Sequence, residues 1–385
     1  MIVFSIPISI DTKMKIIHNI IIGGMSMNIL IAAGGTGGHI TPGVAIANRL
    51  KEDGNKILFV GTKNGMEVDL IPKAGYDIQF IHAKGLKKGS ILKNINSFTE
   101  LLKGINDVKK IIKEEKIDLV IGTGGYVTAP AMIAALKCKI PTLIHESNAL
   151  PGKTTNWLSS KVDRVAVGFK ETLEKLPKAK CGVYTGNPTK ITDNISKEKA
   201  KEKIGMAKPI VLVFGGSQGA KKLNETMIEL INENNIENYQ IIYATGPKHY
   251  DDIISKIKVE NENVKIEKYI YNMEEVMSAS DLAVCRSGAL TVTELGVIGL
   301  PAILIPFPHA AENHQYYNAK TIEDSNAGII IEENNLTTEL LKNKIEEILE
   351  DKVKLQQMQK NAKKEDMKNA IEKIIKEINQ IVKNN

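Results

Sequence analysis

Short apolar runs, each closed by glycine and followed by a segment of helical periodicity, recur along the chain. Asn28–Ala33 (NILIAA) is one such run. Gly34-Gly35-Thr36-Gly37-Gly38 ends it, which predicts a buried strand, a tight turn and a helix over 42–53. Lys56–Gly61 and the segments 118–122 and 142–145 read as further strands, with a helix over 129–137. The same grammar restarts at Ile210–Phe214, closed by Gly215-Gly216-Ser217-Gln218-Gly219 and followed by a predicted helix over 220–234. Strands at Gln240–Ala244, 265–267, Leu282–Cys285 and 302–305, and a helix over 250–257, complete this second run. Wholly apolar strands alternating with helices predict the α/β class with doubly wound parallel sheets. Beyond Thr337 the pattern is helical, and a last amphipathic stretch over 367–382 is predicted to pack back on one of the domains.

Length and charge refine this picture. The chain has 385 residues, which suits two domains. Gly186-Asn187-Pro188 lies between the two α/β runs and reads as a linker. The expected division is a leader over 1–27, a first domain over 28–187, a second over 188–361 and a C-terminal helix over 362–385 that returns to the first domain. No run approaches the ~18–20 apolar residues of a membrane span. With 43% apolar and 25% charged residues, the composition also excludes a collagen-like or mostly disordered chain. The net charge is +6, and 48 of the 51 basic residues are Lys. A nucleic-acid reader leans on Arg, so this balance points to an anionic small molecule or membrane surface and to no nucleic acid. Eight Lys and two acidic residues fall between Lys84 and Lys113, where Ile91, Leu92, Ile95, Phe98, Leu102 and Ile105 recur at helical spacing. Such a helix either lies on an anionic bilayer or faces a core with a solvated lysine side. Three scattered cysteines, without a C-x-x-C pair, suit a reducing cytoplasmic compartment.

The glycine-rich turns carry the candidate chemistry. Glycine lets backbone amides approach a phosphate, and the following helix N-terminus adds N–H donors and partial positive charge. Gly34–Gly38, Gly122-Thr123-Gly124-Gly125-Tyr126 and 215–219 are three such turns, neither a G-x-G-x-x-G fingerprint nor a P-loop. Three loops on two units suit a diphosphate donor and a phosphate-bearing acceptor. His39 ends the first loop and serves either as general base or as a cap. Glu294 is expected in the first turn of a helix opened by Arg286-Ser287-Gly288-Ala289-Leu290, as a dipole-stabilised cap or a ribose-diol acceptor. His309, Glu312, His314 and Gln315 form a polar cluster better matched to sugar hydroxyls than to a metal, because the spacing is not H-E-x-x-H. His145-Glu146-Ser147-Asn148 is a second polar cluster at a strand end, where α/β sheets bind ligands.

Taken in order, Gly34–His39, Gly124-Gly125-Tyr126-Val127, His145-Glu146-x-Asn148, Thr185-Gly186-Asn187-Pro188, 215–220, 286–294 and His314-Gln315 resemble the MurG family of UDP-GlcNAc:lipid I N-acetylglucosaminyltransferases. The resemblance runs from about Asn28 to the C-terminus. It implies a GT-B glycosyltransferase fold, two Rossmann-like domains facing across a cleft. It also implies inverting transfer of GlcNAc from UDP-GlcNAc to the C4 hydroxyl of lipid I, peripheral to the cytoplasmic leaflet of an anionic membrane. Neither cofactor nor metal is implied.

Carried over by position, Ser217, Gln218 and Lys190 would meet the donor diphosphate, Ile270 the uracil through its backbone, and Glu294 the ribose. Asn148, Ala289, Leu290, His314 and Gln315 would meet the GlcNAc, bordered by Thr36 and Gly37. Gly34, Gly35, Gly38, Gly124, Gly125 and Tyr126 would hold the acceptor diphosphate. His39 is the candidate base, with Glu146 its rival. Lys190 replaces the family's usual Arg, keeping the charge but losing the bidentate fork. Residues 1–27 have no family counterpart. UDP-GlcNAc 2-epimerases and other glycolipid glycosyltransferases of the same fold are the competing readings. A dehydrogenase is disfavoured by the missing dinucleotide fingerprint.

Overall fold

The structure, a computed structural model, describes residues 26–85, 91–216 and 219–383. The leader assignment over 1–27 therefore falls almost entirely outside the described residues, as do Ser217 and Gln218.

The first run forms β1 (Asn28–Ala33), α1 (Gly37–Glu52), β2 (Lys56–Gly61), α2 (Glu67–Lys73), β3 (Asp77–Phe80), α3 (Ile91–Glu114), β4 (Leu119–Gly124), α4 (Thr128–Cys138), β5 (Thr142–Glu146), α5 (Lys153–Leu158), β6 (Arg164–Val167), α6 (Glu171–Glu174) and β7 (Gly182–Tyr184). The second forms α7 (Lys197–Ile204), β8 (Ile210–Phe214), α8 (Lys221–Asn232), β9 (Gln240–Ala244), α9 (Tyr250–Lys256), β10 (Val264–Glu267), α10 (Met273–Ala279), β11 (Leu282–Cys285), α11 (Ala289–Ile298), β12 (Ala302–Leu304), α12 (His314–Asp324), β13 (Gly328–Ile330), α13 (Thr338–Glu350), α14 (Lys352–Ala362) and α15 (Ala370–Lys383).

The strands make a seven-stranded sheet, β3-β2-β1-β4-β5-β6-β7, and a six-stranded sheet, β10-β9-β8-β11-β12-β13. The second is the doubly wound order in which the chain reverses direction across the sheet between its first and fourth strands. Ligands of such sheets bind beyond the strand C-termini at that reversal. The loops after β1 and β4, and after β8 and β11, occupy those positions. By compactness the chain parts into residues up to Thr142 with those from Ile381, and Leu143–Gln380.

The apolar runs become strands because both faces are covered. In β8, Ile210, Leu212 and Phe214 belong to one core cluster, and Val211 and Val213 to the opposite one. Leu223, Met227 and Leu230 of α8 cover the second face, and Val292 and Leu295 of α11 the first. With period-2 side chains and no wet face, such a strand has no polar position to spare. α1 begins at Gly37, five residues before the expected start at Pro42. A proline at the sixth helical position removes a single ladder bond, so the loop glycines themselves form the first turn. β3, β6, β7 and β13 are short strands of three or four residues that the apolar pattern did not reveal. Asp77 and Phe80 of β3 are exposed, which blurs the pattern there.

Candidate functional site

In the first unit, the glycine-rich loop is shaped by its glycines and by a buried acid. Gly35 sits at φ +88°, a left-handed conformation that glycine adopts freely. A Cβ on Gly125 would lie 2.1 Å from the Gly34 carbonyl oxygen, so the turns after β1 and β4 touch backbone to backbone. The amides of Gly37 and Gly38 open α1, and helix geometry leaves first-turn amides without an intrahelical acceptor. Together with the dipole they suit a phosphate. The Gly35 amide, expected at the acceptor diphosphate, instead donates to Glu67 Oε2 at 2.8 Å. Thr36 and Gly38 are exposed, and the Tyr126 ring is about half exposed beside the loop.

His39 Nδ1 lies 3.1 Å from the Gly34 carbonyl oxygen. Thr36 Oγ1 is 3.4 Å from the same nitrogen. Because a carbonyl only accepts, the Gly34 contact is a hydrogen bond only in the Nδ1–H tautomer, which puts the ring lone pair on Nε2. A Cβ on Gly124 would sit 2.4 Å from His39 Cδ2, so the ring packs flush on that glycine. The Thr123 hydroxyl donates to the His39 carbonyl at 2.8 Å, tying the helix start to β4.

In the second unit, Glu146 is fully engaged. Its carboxylate accepts from the Asn148 amide (3.1 Å), the Asn148 side chain (3.3 Å), the Gly152 amide (3.0 Å) and the Thr155 hydroxyl (2.7 Å). Four donors on one carboxylate order the loop from 146 to 155 and leave it ill suited to take a substrate proton.

Asn318, which sequence reasoning missed, gathers the sugar-type residues. Its amide oxygen accepts from Ala149 N–H at 2.9 Å, and its nitrogen donates to Asn148 Oδ1 and the Ser287 carbonyl, each at 3.2 Å. Ser287 in turn donates to the Gln315 carbonyl at 2.8 Å. The Gln315 side-chain oxygen accepts from Phe307 N–H at 3.0 Å, which leaves its NH₂ for a ligand. His314 lies one helical turn before Asn318 on α12, and its Nε2 is buried with no hydrogen-bond partner. Glu312 Oε2 is 3.6 Å from that nitrogen, and Lys153 lies 3.3 Å from Glu312 Oε1. The spacing of Asn148 and Asn318, 170 residues apart, left no local signal.

Glu294 does not sit in the first helical turn. It is the sixth residue of α11, whose first turn, from Ala289 and Leu290, has no acid. The dipole therefore does not stabilise its charge. Burial pushes its carboxyl up to about 7, partly offset by the Thr189 hydroxyl donating at 3.1 Å. A carboxylate with one donor and room for more matches a diol. Thr189 immediately precedes Lys190, which is exposed. Ile270 is buried between the exposed rings of Tyr269 and Tyr271, beside a cavity of about 240 Å³ that Ile242 and Asn272 also line. The Arg286 guanidinium holds the Ile305 and Pro306 carbonyls at 3.0 and 3.2 Å and pairs with Glu333, fixing the turn after β11. Among the described residues no three His, Cys, Asp or Glu side chains gather as metal ligands.

Residues 29–167 match the glycosyltransferase family 28 N-terminal domain, and 210–374 its C-terminal domain. A curated protein of Acetivibrio thermocellus is 44% identical over 93% of this chain and 99% of its own length. It is named UDP-N-acetylglucosamine–N-acetylmuramyl-(pentapeptide) pyrophosphoryl-undecaprenol N-acetylglucosamine transferase. The crystal structure of Acinetobacter baumannii MurG superposes with a TM-score of 0.78 at 30% identity, covering 92% of this chain and 99% of that one. The chain belongs to the MurG family. Its fold is GT-B, built from two Rossmann-like domains. The calicheamicin glycosyltransferase CalG4 matches this MurG-family chain with a TM-score of 0.68 over 94% of its length and 99% of its own, but at 12% identity it speaks to fold alone.

Proposed function

We propose that the chain moves GlcNAc from UDP-GlcNAc to the C4 hydroxyl of MurNAc in undecaprenyl-pyrophosphoryl-MurNAc-pentapeptide, with inversion, giving lipid II for peptidoglycan synthesis. The observation that carries this reading is the 44% identity, over 93% of the chain, to a protein named for that transfer. The second domain binds the donor. Glu294 takes the ribose hydroxyls, the Ile270 backbone the uracil, and Ser217, Gln218 and Lys190 the diphosphate. Asn148, His314, Gln315 and the amides of Ala289 and Leu290 meet the GlcNAc, with Thr36 and Gly37 at its border. In the first domain the loops at Gly34–Gly38 and Gly124–Tyr126 hold the acceptor diphosphate, with the Gly37 and Gly38 amides as its donors. His39 Nε2 takes the C4 hydroxyl proton as that oxygen bonds to the anomeric carbon. The bond from that carbon to the diphosphate breaks, and UDP leaves with the electron pair. Glu146 organises its loop and is not the base.

The lysine-rich segment from Lys84 to Lys113 docks the enzyme on an anionic leaflet, helped by Phe98 and Leu102, which are exposed on α3. No helix among the described residues is long and apolar enough to cross a membrane. The C-terminal helix α15 is read as packing back on the first domain, a reading supported by the pairing of Glu377 with Arg164 of β6 at 3.0 Å.

Incubation with UDP-GlcNAc and a lipid I analogue tests the proposal, with UDP and the disaccharide lipid as expected products. Formation of UDP-ManNAc from UDP-GlcNAc alone, without transfer, overturns it in favour of a 2-epimerase.

A further inference from the structure

One peptide group in the first unit is held from both sides. The carbonyl of the Gly34–Gly35 peptide accepts from His39 Nδ1 at 3.1 Å, and its N–H donates to Glu67 Oε2 at 2.8 Å. The C=O and N–H of a trans peptide point in opposite directions, so acid and imidazole lie on opposite sides of one planar group. We infer that Glu67 is a positioning residue for the transfer, acting through this peptide to fix His39 as the Nδ1–H tautomer and to strengthen Nε2 as the proton acceptor.

The inference rests on the reading of His39 as base. Glu67 is wholly buried and also accepts from Thr62 N–H (2.9 Å) and the Thr62 hydroxyl (2.8 Å). A buried carboxylate is tolerated only with such donors. Burial alone would raise its pKa, but the Gly35 and Thr62 amides and the Thr62 hydroxyl hold it below the usual carboxylate range. An ionised Glu67 polarises the peptide and makes its oxygen a better acceptor for Nδ1–H. That stabilises the imidazolium formed when Nε2 takes a proton, as a carboxylate does when it contacts the imidazole directly.

The surroundings are cut to fit. A Cβ at Gly65 would lie 2.0 Å from Glu67 Oε2, and one at Gly61 2.5 Å from its Cγ. Around the loop, α1 contributes His39, α2 contributes Glu67, and the turn after β4 contributes Tyr126, whose ring lies 4.0 Å from where a Gly35 Cβ would stand. The neighbouring hydroxyls of Thr36, Thr62 and Thr123 are neutral in the working range.

Glu67→Gln in the full chain tests this, because the amide keeps the shape but loses the charge. Three readouts apply: the pH profile of kcat with UDP-GlcNAc and a lipid I analogue, the Kd for UDP-GlcNAc, and ¹⁵N–¹H spectra of the His39 ring. The expected result is an unchanged Kd and a kcat lowered about tenfold or more, short of the His39→Ala loss. The acidic limb should move to lower pH, and the His39 tautomer should become mixed. Glu67→Asp should recover part of kcat and the limb position. An unshifted limb with an unchanged tautomer overturns the inference, as does a loss shared equally by Glu67→Asp with only a lowered Tm. If Glu67→Gln fails to fold, the wild-type spectrum decides, since an Nε2–H tautomer there refutes the argument. A wild-type chain that transfers no GlcNAc refutes the proposed function instead and leaves the tautomer measurement standing.

Discussion

If Glu294 takes the ribose hydroxyls as proposed, nucleotide binding should depend on pH. Burial pushes its carboxyl up to about 7, so the unliganded domain is about half protonated there. The ionised form accepts from both ribose hydroxyls, one on each oxygen, whereas protonation turns one of those oxygens into a donor and weakens the match. Those two donors stabilise the charge and lower the pKa in the complex, so binding near or below neutrality expels a proton. From a free pKa of about 7, the ionised fraction falls about tenfold between pH 8 and pH 6, which is about 1.4 kcal/mol of binding free energy. UDP-GlcNAc has no group of its own titrating in that window, unlike UDP, whose terminal phosphate does. Calorimetry with UDP-GlcNAc at pH 6, 7 and 8, in buffers of different ionisation enthalpy, reads both the slope and the released proton. Glu294→Gln should bind more weakly and without slope. A wild-type affinity constant across the window, or an equal slope in the glutamine variant, would refute the reasoning. The same shift bears on stability with a definite sign. A carboxyl pKa raised in the folded state is a contribution present at low pH and lost as pH rises from the ordinary 4.5 through about 7. Glu294→Gln should therefore raise the ligand-free Tm relative to wild type at pH 8 and not at pH 4.

Replacing His39 by Ala should lower kcat by about 10²–10⁴-fold and leave the Kd for UDP-GlcNAc intact; equal turnover would remove it as the base. Asn318→Ala breaks three hydrogen bonds, two buried and one half-buried, at about 1 kcal/mol each, so Tm should fall by several degrees and KM for UDP-GlcNAc should rise. An unmoved KM would show that the Asn148 loop does not depend on this clasp. Flotation with anionic vesicles should carry the wild type, and replacing Lys84, Lys87, Lys88 and Lys93 together by Glu should abolish it. Retained flotation would place the membrane contact elsewhere.

Local pattern reached a long way in this chain. Strands Asn28–Ala33, Lys56–Gly61, Ile210–Phe214, Gln240–Ala244 and Leu282–Cys285 stand where their apolar runs predict, because a strand covered on both faces has nowhere to put a polar side chain. The glycine turns followed from the same runs, since a chain that leaves a buried strand for a helix must bend sharply beside other backbone. Glu294 shows where pattern fails. One helical turn of error in the start of α11 reversed its electrostatics, from a dipole-stabilised acid to one that burial makes reluctant to ionise.

The residue types, their order and the family were thus written along the chain. Which atom of which residue is free to act was decided only by folding. The Gly35 amide faces inward to an acid 32 residues away, Glu146 is saturated by its own loop, and Asn318 closes on Asn148 across 170 residues. Hydrophobic periodicity is a property of neighbours in sequence, whereas a buried polar group must find its partner wherever the packed chain brings one, and no spacing rule carries that information.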